Sequence, residues 1–123
     1  MAPATKVLVI DDDQTFTTMA TSLLRTAGYK PLVAFDAMQG FMFAQREQPA
    51  LILLDLSMPA GGGMQLLDKL QHSSKTQNVP VIIVTGTGGP AVEADAKAKG
   101  AAAVMRKPVD SKALVDLVKQ VLG

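Results

Sequence analysis

Cysteine is absent from this 123-residue chain, which excludes a disulfide framework, thiol catalysis and cysteine-ligated zinc and is compatible with a reducing compartment. A charge excess is missing as well. Twelve basic and eleven acidic residues leave +1, so no global field points to nucleic acid or to an anionic membrane. Long apolar runs are also lacking: after Met1 to Lys6 only four apolar residues precede the first acids, which is neither a secretory h-region nor a membrane span. With no linker, and no repeat finer than a strand-helix unit, the expectation is one cytoplasmic domain over residues 1–123 with no effector domain. At 48% hydrophobic such a chain can bury a real core.

What is present is a set of short apolar runs. Leu51-Ile52-Leu53-Leu54, bounded by Pro49 and Pro59, reads as a strand buried on both faces of a parallel sheet, with Asp55 where it leaves the core. Val7 to Ile10 forms a similar strand ending on Asp11-Asp12-Asp13. Pro31 to Ala34 suits an edge strand, Val79 to Val84 a strand ending on Thr85-Gly86, and Ala102 to Met105 a weak fifth strand ending on Arg106-Lys107-Pro108. Helical spacing follows each strand. Phe16, Met19, Ala20, Leu23, Leu24 and Ala27 mark the first helix, with Gly28 as its stop. Asp36 caps a second helix whose inward face is Ala37, Phe41 and Ala44. Met64, Leu66, Leu67 and Leu70 mark a third, followed by a polar loop from Gln71 to Asn78. Pro90 to about Lys99 is the fourth, and Ser111 caps a fifth with a stripe of Leu114, Val115, Val118, Val121 and Leu122. The alternation predicts an α/β fold, a doubly wound five-stranded parallel sheet of order 2-1-3-4-5 with helices on both faces.

In that order the first and third strands are neighbours, and a crevice opens between their carboxyl ends. Asp11, Asp12 and Asp55 then converge. At ~4 Å and an effective dielectric of about 20, each like-charged pair repels by ~4 kcal/mol, so the three demand a cation. Few carboxylates with an open position favour Mg²⁺ over Ca²⁺. A carboxylate beside Mg²⁺ can take a phosphoryl group as an aspartyl phosphate, and Asp55 is the candidate nucleophile. Mg²⁺, Lys107 and the Thr85 hydroxyl, helped by the Gly86 amide, can each satisfy one peripheral phosphoryl oxygen.

Together Val-Leu-Val-Ile-Asp11-Asp12, Leu-Leu-Asp55-x-x-Met-Pro59, Val-Thr85-Gly86 and Lys107-Pro108 resemble the receiver domain of two-component response regulators across essentially the whole chain. The resemblance implies a flavodoxin-like, chemotaxis-regulator-like fold. It also implies Asp12 as direct Mg²⁺ ligand, Asp11 acting mainly through water, Asp55 as ligand and phosphoacceptor, and the Ser57 carbonyl as a further ligand. The donor it implies is a phosphohistidine on a histidine kinase or histidine phosphotransfer protein. Ser57 and Thr87 hold the two positions on which autodephosphorylation depends in such domains. Partner binding would switch with phosphorylation, toward an output partner or effector the sequence does not identify. Four departures bear on output: Val104 stands where receivers commonly carry an aromatic switch residue, Val109 replaces the usual Phe after Pro108, Gly100 to Ala103 lacks the acids of one dimer mode, and the loop after Asp55, running through Gly61-Gly62-Gly63, is unusually glycine-rich.

Other readings fit less well. Asp11-x-Asp13-x-Thr15 matches a haloacid-dehalogenase-type phosphatase with Asp11 as nucleophile, but leaves Asp55 unexplained. As a calcium loop from Asp11 the run fails, with Phe16 sixth and Ser22 twelfth. Gly86-x-Gly88-x-x-Ala91 resembles a dinucleotide fingerprint with too little chain after it. His72, the only histidine, reads as solvated; Asp13 as an exposed acid adding to the site's field; Lys97, Lys99 and Arg106 as a solvated basic face. The methionines read as scattered packing or loop residues.

Overall fold

Alternation of short apolar runs with amphipathic segments yields five strands and five helices in the computed structural model, which describes residues 4–58, 62–86 and 88–123. The strands are β1 (Lys6–Ile10), β2 (Lys30–Ala34), β3 (Leu51–Leu54), β4 (Val81–Thr85) and β5 (Ala103–Arg106). The helices are α1 (Gln14–Thr26), α2 (Ala37–Glu47), α3 (Gly62–His72), α4 (Pro90–Ala98) and α5 (Ser111–Leu122). All pairings are parallel and the order is β2-β1-β3-β4-β5, as the sequence predicts.

Side chains alternate across the sheet because strand residues point to opposite faces in turn. Val7 and Val9 join Leu51, Leu53, Ile82 and Val84 under α1 and α5, with Leu24, Leu114 and Val118. Leu8 and Ile10 join Ile52, Leu54 and Ile83 on the other face, under Ala44 of α2, Leu66 and Leu70 of α3 and Ala96 of α4. Every residue of β3 and β4 is buried, which is why their sequences show no polar alternation. At about 1.5–3 kcal/mol per large buried apolar side chain, these strands supply much of the stabilisation that offsets chain entropy.

Local chemistry sets most boundaries. Gly28 and Gly100, after α1 and α4, have φ of 96° and 101°, a left-handed conformation that costs glycine little. Asp36 caps α2, accepting from the Gln39 amide at 2.8 Å. Four expectations need correction. The cap of α5 is Asp110, whose carboxylate accepts from the Ala113 amide at 2.9 Å; Ser111 is the first helical residue. α3 runs on through Gln71 to His72, and the buried Thr76 hydroxyl donates to the Leu70 carbonyl at 2.7 Å, satisfying an acceptor at that helix end. β4 begins at Val81, after Pro80, and β5 spans 103–106 in place of 102–105. His72 therefore lies on a helix end, where it remains exposed and its Nδ1 is 2.8 Å from the Asp68 carbonyl oxygen.

Candidate functional site: an acidic pocket at the carboxyl ends of β1, β3 and β4

Register builds the site. Ile10 pairs with Leu54 and Leu54 with Ile83, so the residues after β1 and β3 emerge side by side next to the end of β4. The Asp55 amide donates to the Ile10 carbonyl, the Asp11 amide to Ala34 and the Lys107 amide to Thr85, each at 3.0 Å, so sheet bonds extend into the pocket. Asp11, Asp12 and Asp55 can place one carboxylate oxygen each within 4.8 Å of one another. Asp11 and Asp55 are buried and Asp12 is exposed at the rim.

Lys107 crosses from β5 to these acids. Its Nζ lies 2.7 Å from Asp11 Oδ2 and 3.6 Å from Asp55 Oδ2, after which the chain turns at a cis Lys107–Pro108 peptide. The ammonium also sits 4.5 Å from the Phe16 ring centroid, so an aromatic face backs it from α1. On Asp55, Oδ1 accepts from the Ser57 amide at 2.9 Å and the Ser57 hydroxyl at 2.7 Å, and the Thr85 side chain also hydrogen-bonds this carboxylate. Asp11 Oδ1 accepts from the Asp13 amide at 2.9 Å.

These contacts drive the two buried acids apart. Burial pushes the Asp11 carboxyl above its ordinary range, with Asp55 adding to the rise, and the bonds from Lys107 and Asp13 offset this only in part. Burial acts the same way on Asp55, but the Ser57 amide and hydroxyl, Lys107 and Thr85 outweigh it and hold the Asp55 carboxyl below its ordinary value. Burial disfavours the Lys107 ammonium, yet Asp11, Asp55 and Asp13 raise its pKa overall. Three carboxylates against one ammonium leave two negative charges in excess, and oxygen donors with that imbalance suit a hard divalent cation.

Asp11, Asp12, Asp55, Ser57, Thr85 and Lys107 are thus brought to one place, and Gly86 directly follows Thr85 where β4 ends. Thr87 and Pro59 lie outside the described residues. Asp13 is exposed and adds to the field at Lys107, and it also caps α1 by accepting from the Thr15 and Phe16 amides at 2.9 and 3.3 Å. Two further residues at the pocket carry no signal in the sequence. Phe16 reads in sequence as an ordinary core residue because only folding shows that its ring faces Lys107. Gly63 reads as part of a loose loop, but a Cβ there would lie 2.6 Å from Leu56 Cα and 2.8 Å from the Asp55 carbonyl oxygen, so α3 starts directly against the acid's backbone. The basic face is also less free than expected: Arg106 Nε pairs with Glu93 at 2.7 Å, and Lys99 lies 3.5 Å from Asp95.

Comparison with known proteins agrees with this geometry. The family described as the response regulator receiver domain matches residues 7–119, and the chain belongs to that family, whose members act in two-component signalling. It is 32% identical to protein PilH of Pseudomonas aeruginosa over 118 residues, 96% of this chain and 98% of PilH. To the phosphate regulon transcriptional regulatory protein PhoB of Escherichia coli it is 30% identical over 119 residues, 97% of this chain but 52% of PhoB. It therefore spans nearly all of one relative and about half of the other. Among solved structures, a CheY-like receiver domain protein from Methanospirillum hungatei JF-1 superposes with a TM-score of 0.90 at 27% identity, covering 98% of this chain and 94% of that one. Chemotaxis protein CheY4 of Vibrio cholerae gives 0.90 at 26% identity, covering 97% and 99%. The dehalogenase-type alternative is not favoured, and its nucleophile Asp11 is bonded to Lys107 and the Asp13 amide. Receiver domains use Mg²⁺ at an acidic pocket, and this chain carries the acids for one. Among the described residues no helix is long and apolar enough to cross a membrane.

Proposed function

We propose that residues 1–123 form one receiver unit in which Asp55 accepts a phosphoryl group from a phosphohistidine on a kinase or phosphotransfer protein. The observation that carries this reading is Lys107 reaching both buried acids, with Asp12 and Thr85 at the same strand ends. An Asp55 carboxylate oxygen attacks phosphorus; the new P–O bond forms as the P–N bond breaks, and the electron pair leaves with the imidazole. The low pKa keeps Asp55 ionised for the attack. The Ser57 bonds fix its plane and leave Oδ2 turned toward Lys107. Lys107 and the Thr85 hydroxyl then pair with phosphoryl oxygens, and the Gly86 amide would assist them. Asp11, Asp12 and Asp55, with the Ser57 carbonyl, would hold Mg²⁺, which when bound neutralises the acids and the charge on the transferring group. Water attacking phosphorus later returns Asp55 and inorganic phosphate, and the receiver resemblance ties the rate of that step to the sequence positions held by Ser57 and Thr87.

Phosphorylation would then switch binding to an output partner, either separate or in a longer chain. Incubation with acetyl phosphate and Mg²⁺, followed by intact-mass measurement, tests the assignment. Wild type gains one phosphoryl group and Asp55→Asn gains none; equal uptake by Asp55→Asn would mean that another residue is the acceptor.

A further inference from the structure

Away from the acidic pocket, the large apolar side chains exposed among the described residues are Phe35, Met38 and Met42, within eight positions of one another on and just before α2. Met38 is 76% and Met42 54% exposed. Helical spacing puts these two on one face of α2, and they border a slot of about 200 Å³ between α2 and α3. Ala37, Phe41, Gly62 and Leu66 also line it, with Gln65 and Lys69 on the α3 side. At Gly62 a Cβ would come within 2.8 Å of the Ala37 Cβ, so the two helices approach closely there.

Two features identify the occupant. The slot is smaller than the ~300–1,000 Å³ of small-molecule sites and suits one or two inserted side chains, the scale of a protein anchor. Among the described residues Lys69 is the sole charged one lining it, and its Nζ lies 5.6 Å from the Phe41 ring centroid with no acid among those residues paired to it. A second copy meeting this face about a twofold axis would bring the same patch, and hence a second Lys69, toward the first. An apolar segment carrying a carboxylate instead meets both the methionine rim and the cation, and flexible thioether side chains adapt to such a partner.

We propose that the α2–α3 slot docks a partner-protein segment that inserts one or two bulky apolar side chains and places an Asp or Glu against Lys69. This surface is independent of the phosphoacceptor assignment. A displayed library of random 16-residue peptides is selected on the wild-type protein and counter-selected on Met38→Glu/Met42→Glu, whose positions are exposed and whose fold is checked by thermal melting. Selected peptides should pair a bulky apolar residue with an acid, bind the double variant at least ~10-fold more weakly, and move amide resonances of 37–42 and 65–69. Lys69→Glu should weaken those peptides and restore binding to versions with lysine for the acid. Failure to enrich such peptides, equal binding by acidic and basic versions, or resonance shifts elsewhere would overturn the proposal. Self-association abolished by Met38→Glu/Met42→Glu would overturn it in favour of a second copy.

Discussion

All of β3 and the last four residues of β1 are buried, and the acids that follow, Asp11 and Asp55, are tied down by Lys107, Ser57, Thr85 and the Asp13 amide. At the other margin, β5 has three half-buried residues before an exposed Arg106, and α4 buries only Ala96. On the proposed function, the difference matches what each region would have to do. A phosphoryl acceptor needs its groups held in place before reaction, and doubly covered central strands provide that. A lightly buried edge has fewer apolar contacts to lose and moves at lower cost. Val104 lies on this edge, half-buried against the α2–α4 core, where an aromatic switch residue is usual in the family the sequence resembles.

The largest test of that contrast uses two consecutive residues. Lys107→Ala should lower the rate of phosphoryl uptake from acetyl phosphate by ~100-fold or more, as loss of one preorganised charge-stabilising group does elsewhere. Arg106→Ala, which breaks an exposed pair with Glu93, should change the rate by less than about twofold. Comparable losses would show that the margin takes part in the chemistry.

Stability gives the next comparison. Ile83 and Val104 are register partners on β4 and β5. Urea unfolding should give a loss of about 2–5 kcal/mol for Ile83→Ala, which opens a cavity in the covered core, and about 1 kcal/mol for Val104→Ala. Equal losses would mean that β5 is packed as firmly as the centre. A smaller effect distinguishes two neighbours on α5: Asp110→Ala should cost about 1 kcal/mol through loss of the cap, and Ser111→Ala close to nothing.

The smallest effect concerns the opposite end of β1, where the Lys6 ammonium meets Glu47 at 3.2 Å. Bonds from Lys6 and then Arg46 hold the Glu47 carboxyl below its ordinary value. Its contribution to stability is therefore present above the unfolded pKa of about 4.3 and is lost as pH falls through the lower folded value. Thermal melts should show a slightly smaller drop in Tm between neutral pH and pH ~3 for Glu47→Gln than for wild type. An unchanged difference would place the acid sensitivity at other groups.

Much of the fold was legible because parallel strands covered on both sides must be written as short continuous apolar runs, and β1, β3 and β4 are. Less legible were the ends. Asp110 and Ser111 are both good cap residues, and only the backbone decides which carboxylate or hydroxyl reaches the third amide. Gln71 and His72 look like loop residues because they are polar, yet exposed positions in a last helical turn are polar too. The site was readable as acids, a threonine and a lysine placed just after apolar runs. The ring of Phe16 and the contact at Gly63 were not, since both depend on helices meeting strand ends from outside the chain segment that carries them.

Sequence alone determined the order of elements and which side chains reach the carboxyl edge of the sheet, because those follow from periodicity and from the handedness of strand-helix units. Tertiary structure decided which acid Lys107 holds, which way the two carboxyl pKa values move, and where methionines remain uncovered. Those outcomes depend on distance and burial, which arise only when separate elements pack together.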